Sequence, residues 1–169
     1  MPDHARLQIA RMQIAFARDY TRGLIADIDD GDWFLQPAQG VGHVAWQVGH
    51  LAVAEYGLGL FRQRGRREGD AELLPSAFRK QFAKGSIPEA NAAEYPAPPE
   101  IRRVLDRVHE RTLEELTGYA EAELDAPCEE PYAIFPTRLG ALFFCSAHEM
   151  MHAGQLGLLR RLLGKPPLR

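Results

Sequence analysis

Two histidines, His148 and His152, stand four residues apart in the last quarter of the sequence. On a helix that spacing projects both rings from one face about one turn apart, so both can converge on one metal ion. The same face carries Ala141, Cys145, Gln155, Leu159 and Leu162. Such neighbours turn the imidazoles inward, where an unpaired polar ring costs free energy. Two readings follow: core histidines each bonded to a carbonyl or hydroxyl, or metal ligands. A third ligand would have to come from another helix, and the candidate is His50, flanked by Gly49 and Leu51 with Gln47 one turn earlier. Three neutral imidazoles suit zinc, nickel, copper or iron(II), and a shell of three protein ligands leaves positions open for water or substrate.

The stretch His148-Glu149-Met150-Met151-His152 also spells the pattern of zinc metalloproteases, where the glutamate is the general base. Those enzymes take a third ligand downstream, and no acidic residue or histidine follows His152. The protease reading therefore fails. Glu149 lies about 100° around the helix from His148 and in register with Arg160, which reads as a solvated surface residue. For a hydrolase, Glu149 or Glu55 would be the candidate bases, Glu55 the poorer because it lies about 140° off the face of His50. Cys145, three residues before His148, could close the shell as a soft fourth ligand or simply pack as a small buried residue. His43, seven residues before His50, belongs at a helix start after Gly40-Val41-Gly42, while His4 and His109 sit in polar neighbourhoods and read as surface residues.

Four helices must position these groups. Leu7, Ala10, Ile14, Ala17, Thr21, Leu24 and Ile28 recur at spacings of three and four, the seam of a bundle helix, with Asp3 as its cap and Asp29-Asp30-Gly31 as its end. A second helix runs from about Val41 to Arg64. A third begins after Pro98-Pro99 and buries Ile101, Leu105, Val108, Thr112, Leu116 and Tyr119. The fourth starts from a Thr137 cap and stops at Gly164 before Pro166-Pro167; being mostly apolar, it is expected to be the most buried, with Phe143, Met150, Met151 and Leu158 meeting a second subunit. No segment alternates long enough to compete as a strand, so the fold class is an all-α bundle. Between helices two and three, Arg66 to Pro98 forms a long crossover, with a short helix expected at Pro75 to Phe82. It can span a helix about 36 Å long and let helices two and three run parallel.

Composition narrows the class of function. With 169 residues, 46% apolar and 25% charged, the chain fits one globular domain over residues 1–169. A net charge of -3 with interspersed signs offers no footprint for nucleic acid or an anionic membrane. Neither a secretory signal nor a membrane-length apolar run is visible, and two distant cysteines give no disulfide framework, so a cytoplasmic setting is expected.

The stretch Val44-Ala45-Trp46-Gln47-Val48-Gly49-His50-Leu51 resembles the Trp-x-x-Gly-His-Leu segment of the DinB-like superfamily of metal-dependent enzymes. His148 through Leu156 is similar to that family's terminal His-x-x-x-His-x-Gly-Gln-Leu, and Leu74-Pro75 through Phe82, Gly85-Ser86 and Tyr95-Pro96 are similar to the crossover of some members. The resemblance implies an up-down-down-up four-helix bundle holding one divalent ion on His50, His148 and His152. Zinc or nickel are its first choices, then iron or manganese. It further implies a small-molecule substrate, a low-molecular-weight thiol such as bacillithiol or mycothiol as cofactor, S-transferase-like chemistry, and homodimers. A metal-dependent hydrolase and a non-catalytic bundle with a structural ion are the alternatives. Whether Gln155 orients a ligand or merely packs stays open.

Overall fold

A computed structural model describes residues 5–38, 40–128 and 136–168. Four long helices form the bundle. Helix α1 spans Ala5–Ile25 and buries Leu7, Ala10, Ile14, Ala17, Thr21 and Leu24, the seam read from the sequence. Asp3, expected as its cap, and His4 lie outside the described residues. It ends one turn earlier than the Asp29-Gly31 stop: Asp30–Asp32 forms a separate 3₁₀ turn, and Ile28 is buried from outside the helix.

Helix α2 begins at Val44 rather than Val41, because His43 is its cap: the extended backbone of His43 lets its ring accept from the Trp46 amide. The helix runs through Val44–Glu55, passes into a π-helical stretch at Tyr56–Phe61 and finishes with an α turn at Arg62–Arg64. The crossover contributes two short helices, α3 (Asp70–Leu73) and α4 (Ser76–Phe82), the second close to the expected position. Helix α5 covers Pro98–Leu116, opening on proline as anticipated and ending before Tyr119. Helix α6 covers Arg138–Leu162; Thr137 accepts from the Gly140 amide as its cap, and Gly164, at φ +77°, supplies the left-handed turn that stops it. No strand forms among the described residues, and no helix is long and apolar enough to cross a membrane.

Chain direction follows from the contacts. Glu55 reaches His109, Gly59 faces Thr112 and Arg64 reaches Glu115, so α2 and α5 advance together and are parallel. Arg18 pairs with Glu149 and Arg160 reaches back to the Leu24 carbonyl, so α1 and α6 are parallel as well. Gln47 meets Gln155 whereas Gln63 meets the Arg138 carbonyl, so α2 and α6 are antiparallel. The result is the up-down-down-up bundle, with the crossover carrying the chain back between its two parallel middle helices.

Burial corrects three expectations. The most completely buried helix is α2, not α6, which turns Met150, Met151, Leu158 and Leu162 outward because only part of its circumference meets α1 and α2. Glu149 and His109, read as surface residues, are both buried. The reason is a cation in the core. Arg18, at 0% exposure, donates from Nε and Nη2 to both oxygens of Glu149, at 2.7 and 3.1 Å, from Nη2 to Glu55 Oε2 at 2.7 Å, and from Nη1 to the Leu105 carbonyl at 2.9 Å. His109 Nδ1 donates to the other Glu55 oxygen at 2.9 Å. Burial raises the Glu55 carboxyl, but Arg18 and His109 outweigh it and leave Glu55 below the usual carboxylate value.

Removing one partner of such a cluster strands charge in the core, a cost of about 3–5 kcal/mol, whereas removing all the charges together costs far less. Arg18→Met should therefore lower the unfolding free energy by about that amount in urea titrations. Adding Glu55→Gln and Glu149→Gln should recover most of it; a triple variant less stable than Arg18→Met would contradict this account.

Candidate metal centre

The site is assembled where α2, α4 and α6 meet. Helix α4 can approach α2 so closely because position 49 has no side chain: a Cβ there would come within 2.5 Å of the Phe82 ring. The contact sets the Phe82 carbonyl 2.8 Å from His50 Nδ1. Since a carbonyl only accepts, Nδ1 carries the proton and Nε2 keeps its lone pair for a ligand. The Trp46 ring stacks on His50 at 4.8 Å and 6° between planes, and its Nε1 donates to Ser86 Oγ at 2.8 Å. The crossover thus clamps both the imidazole and the indole that flanks it.

On α6, His152 Nδ1 bonds to Gln47 Oε1, while Gln47 Nε2 donates to Gln155 Oε1 at 2.8 Å. Engagement of the Gln47 amide nitrogen leaves its oxygen to accept from His152, so this ring too presents Nε2. Gln155 therefore acts at one remove, orienting Gln47. His148, one turn before His152, lies with its ring centre 5.4 Å from His50, 4.6 Å from His152 and 5.7 Å from Phe144. One ring nitrogen from each of His50, His148 and His152 lies within 4.8 Å of the others. The three residues singled out by spacing are thus brought together, all buried.

Burial keeps these rings neutral. It lowers His50, lowers His148 to about 4 with help from His50, and lowers His152 to about 3 with help from His148 and His50. At neutral pH all three are free-base imidazoles, the form that binds a metal. His50 and His148 also form part of the lining of a cavity of about 330 Å³ walled by Val53, Ala54 and Phe61. The π-helical stretch supplies Tyr56, Gly57 and Leu58 to the same lining, a use of π turns that recurs at functional sites.

Other candidates fall elsewhere. His43 caps α2, with Nδ1 accepting from Trp46 and Nε2 bonded to the Glu89 carbonyl at 3.0 Å, so neither nitrogen is directed to the cluster. Cys145 packs with Leu7, Ile14 and Leu142, its thiol raised by burial and by Glu55 and Glu149. Glu55 and Glu149 are engaged by Arg18, and neither lines the cavity. Sequence reading missed the Phe82 carbonyl and the role of Ser86, since a backbone acceptor leaves no mark in residue type. Gln47 was within reach, three residues before His50 on the same helix.

A sequence model of the DinB superfamily matches residues 13–156. The crystal structure of a conserved protein from Enterococcus faecalis superposes with a TM-score of 0.71 at 19% identity, covering 94% of this chain and 97% of that one. At that identity the likeness establishes the fold alone. A comparison with curated proteins found no match.

The lowered histidines fix a pH dependence for the metal-free protein. With folded values of about 4 for His148 and about 3 for His152 against an ordinary 6.5, the unfolded chain binds more protons in between. Stability is then complete above pH 6.5 and lost as pH falls towards those folded values. Urea midpoints should decline from pH 7.5 to 5, at about half the slope or less in His148→Gln/His152→Gln. An equal slope in that variant would assign the loss to other groups.

Proposed function

The chain belongs to the DinB superfamily, and on that premise we propose that it is a metal-dependent enzyme of S-transferase-like activity, with one divalent ion on His50, His148 and His152. The observation that carries this reading is the convergence of three neutral imidazoles beside a cavity that two of them line. Two of the rings are held by acceptors at Nδ1, the arrangement that fixes metal-ligating histidines in the right tautomer. Zinc or nickel suits this donor set. When bound, such an ion supplies Lewis acidity at its open positions and lowers the pKa of a coordinated thiol.

The surrounding residues favour thiol chemistry over hydrolysis. Activating water calls for a general base within reach, and the two carboxylates nearest the histidines in sequence are committed to Arg18. A thiol brings its own nucleophile, and the chain has only to orient the donors and exclude water. Trp46 on His50, Phe144 on His148 and the apolar wall of Val53, Ala54 and Phe61 serve that end. A structural ion would call for a fourth protein ligand, and the close donor group comprises the three histidines alone among the described residues.

The reading includes a homodimer. Ile9, Met12 and Phe16 form an exposed stripe on α1, and Met150, Met151 and Leu158 are exposed on α6, apolar surface that a second subunit would cover. Light scattering should give twice the chain mass at micromolar concentration; a monomer would remove this part of the proposal.

Metal affinity measured against a competing chelator tests the centre. His50→Ala, His148→Ala and His152→Ala should each weaken binding by more than about 100-fold, and Gln47→Ala by about 10- to 100-fold through loss of His152 orientation. Full affinity in any histidine variant would strike that residue from the ligand set. In the cobalt-substituted protein, the d–d bands should shift when a small thiol is added. Bands that ignore the thiol would replace the enzyme with a structural site.

A further inference from the structure

Two ties join α2 to α6, one on each side of the donor cluster. At one level Gln47 bonds to His152 and Gln155. At the other, Arg18 reaches across from α1 and donates to Glu55 on α2 and to both oxygens of Glu149 on α6. Along α2, His50 stands between Gln47 and Glu55; along α6, His148 and His152 stand between Glu149 and Gln155, His148 immediately beside Glu149. The ties therefore bracket the three rings, and only the first is hydrogen-bonded to one of them.

The rings are not held alike. His50 is fixed at Nδ1 by the Phe82 carbonyl and His152 by Gln47. No hydrogen bond among the described residues involves the His148 ring. That ring packs on Phe144, and its direction otherwise follows the rotation and height of α6. Rotation and height are fixed at the very next residue. Glu149 is 2% exposed, and a guanidinium that is itself 0% exposed bonds to both of its oxygens. A two-point bond of this kind sets direction as well as distance. Successive residues of a helix lie about 100° apart, so a Glu149 side chain pinned towards α1 turns His148 towards α2, where its ring centre lies 5.4 Å from that of His50. The same guanidinium holds Glu55, five residues after His50.

We propose that Arg18 is a positioning residue for the metal centre: acting through Glu149 and Glu55, it sets His148 against His50. This rests on the metal reading above. It gives one side chain two separable roles, the stability of the core and the geometry of a site that it does not touch.

Arg18→Met alone would strand two carboxylates and merge those roles. The test therefore uses Arg18→Met/Glu55→Gln/Glu149→Gln, in which none of the three charges is left in the core, and Arg18→Lys, which keeps the charge as a point donor without the fork. Cobalt affinity is measured against a competing chelator, and the d–d spectrum is recorded at full loading. In the triple variant affinity should fall about tenfold, the lower end of what losing a ligand's outer support costs, with the bands displaced towards those of His148→Ala. Arg18→Lys should show a displacement of the same sense. A purely structural role would change urea midpoints and leave the spectrum of the loaded protein as it is. Wild-type affinity and bands in either variant would overturn the inference while the metal reading stands. If the wild type takes up no cobalt, the metal reading fails and this inference falls with it.

Discussion

One guanidinium organises the bundle. Arg18 sits on α1, pairs with Glu149 on α6 and Glu55 on α2, and closes on the Leu105 carbonyl of α5. A buried charge of this kind contributes little net stability when satisfied and costs a great deal when not, so its effect is on register. Any slide of one helix by a turn would leave a carboxylate or the guanidinium unpaired in the core. The two carboxylates it fixes are the chain neighbours of the site: Glu149 follows His148 directly, and Glu55 lies little more than one turn after His50. Arg18 makes no contact with the histidines, yet it sets the height at which their helices meet.

The donor cluster is held from the opposite side by a different device. There the partners are neutral: a backbone carbonyl on α4, a glutamine on α2, and a second glutamine that orients the first. Neutral acceptors select the tautomer without adding a formal charge beside the rings, which leaves the imidazoles uncharged. The Glu55 and Glu149 carboxylates, for their part, are drawn to Arg18 on α1. Gly49 makes the carbonyl contact possible, since any larger residue would push Phe82 away and its carbonyl with it.

The outline of this was legible in the sequence because periodicity and caps are local. The seam of α1, the Thr137 cap, the stop at Gly164 and the short helix ending at Phe82 all follow from residue types a few positions apart. The three histidines could be singled out for a related reason: two share a helix turn, and the third stands in an apolar helix where a ring must find a partner. Arg18, His109 and Glu149 were legible by position but not by type. Arg18 is four residues from Ile14, His109 four from Leu105, and Glu149 four from Cys145, all on buried stripes. Charged side chains at such places read as surface until their partners are known, and those partners lie 37 to 131 residues away. The position of the Phe82 carbonyl depends on where the crossover lands, which is tertiary information.

Parallel neighbours also say something about how the molecule is made. Most helical bundles close through hairpins, so their contacts form early and locally; here α1 lies beside α6, at the two ends of the chain, and α2 beside α5 only by way of the long crossover. The Arg18–Glu149 bond closes 131 residues and the Gln47–His152 bond 105. Loops of that length are entropically costly to shut before other contacts reward them. The cluster is therefore complete only when the two ends of the chain have met. A nascent or partly unfolded chain has three scattered imidazoles and no chelate, which makes possession of the site a property of the finished bundle alone.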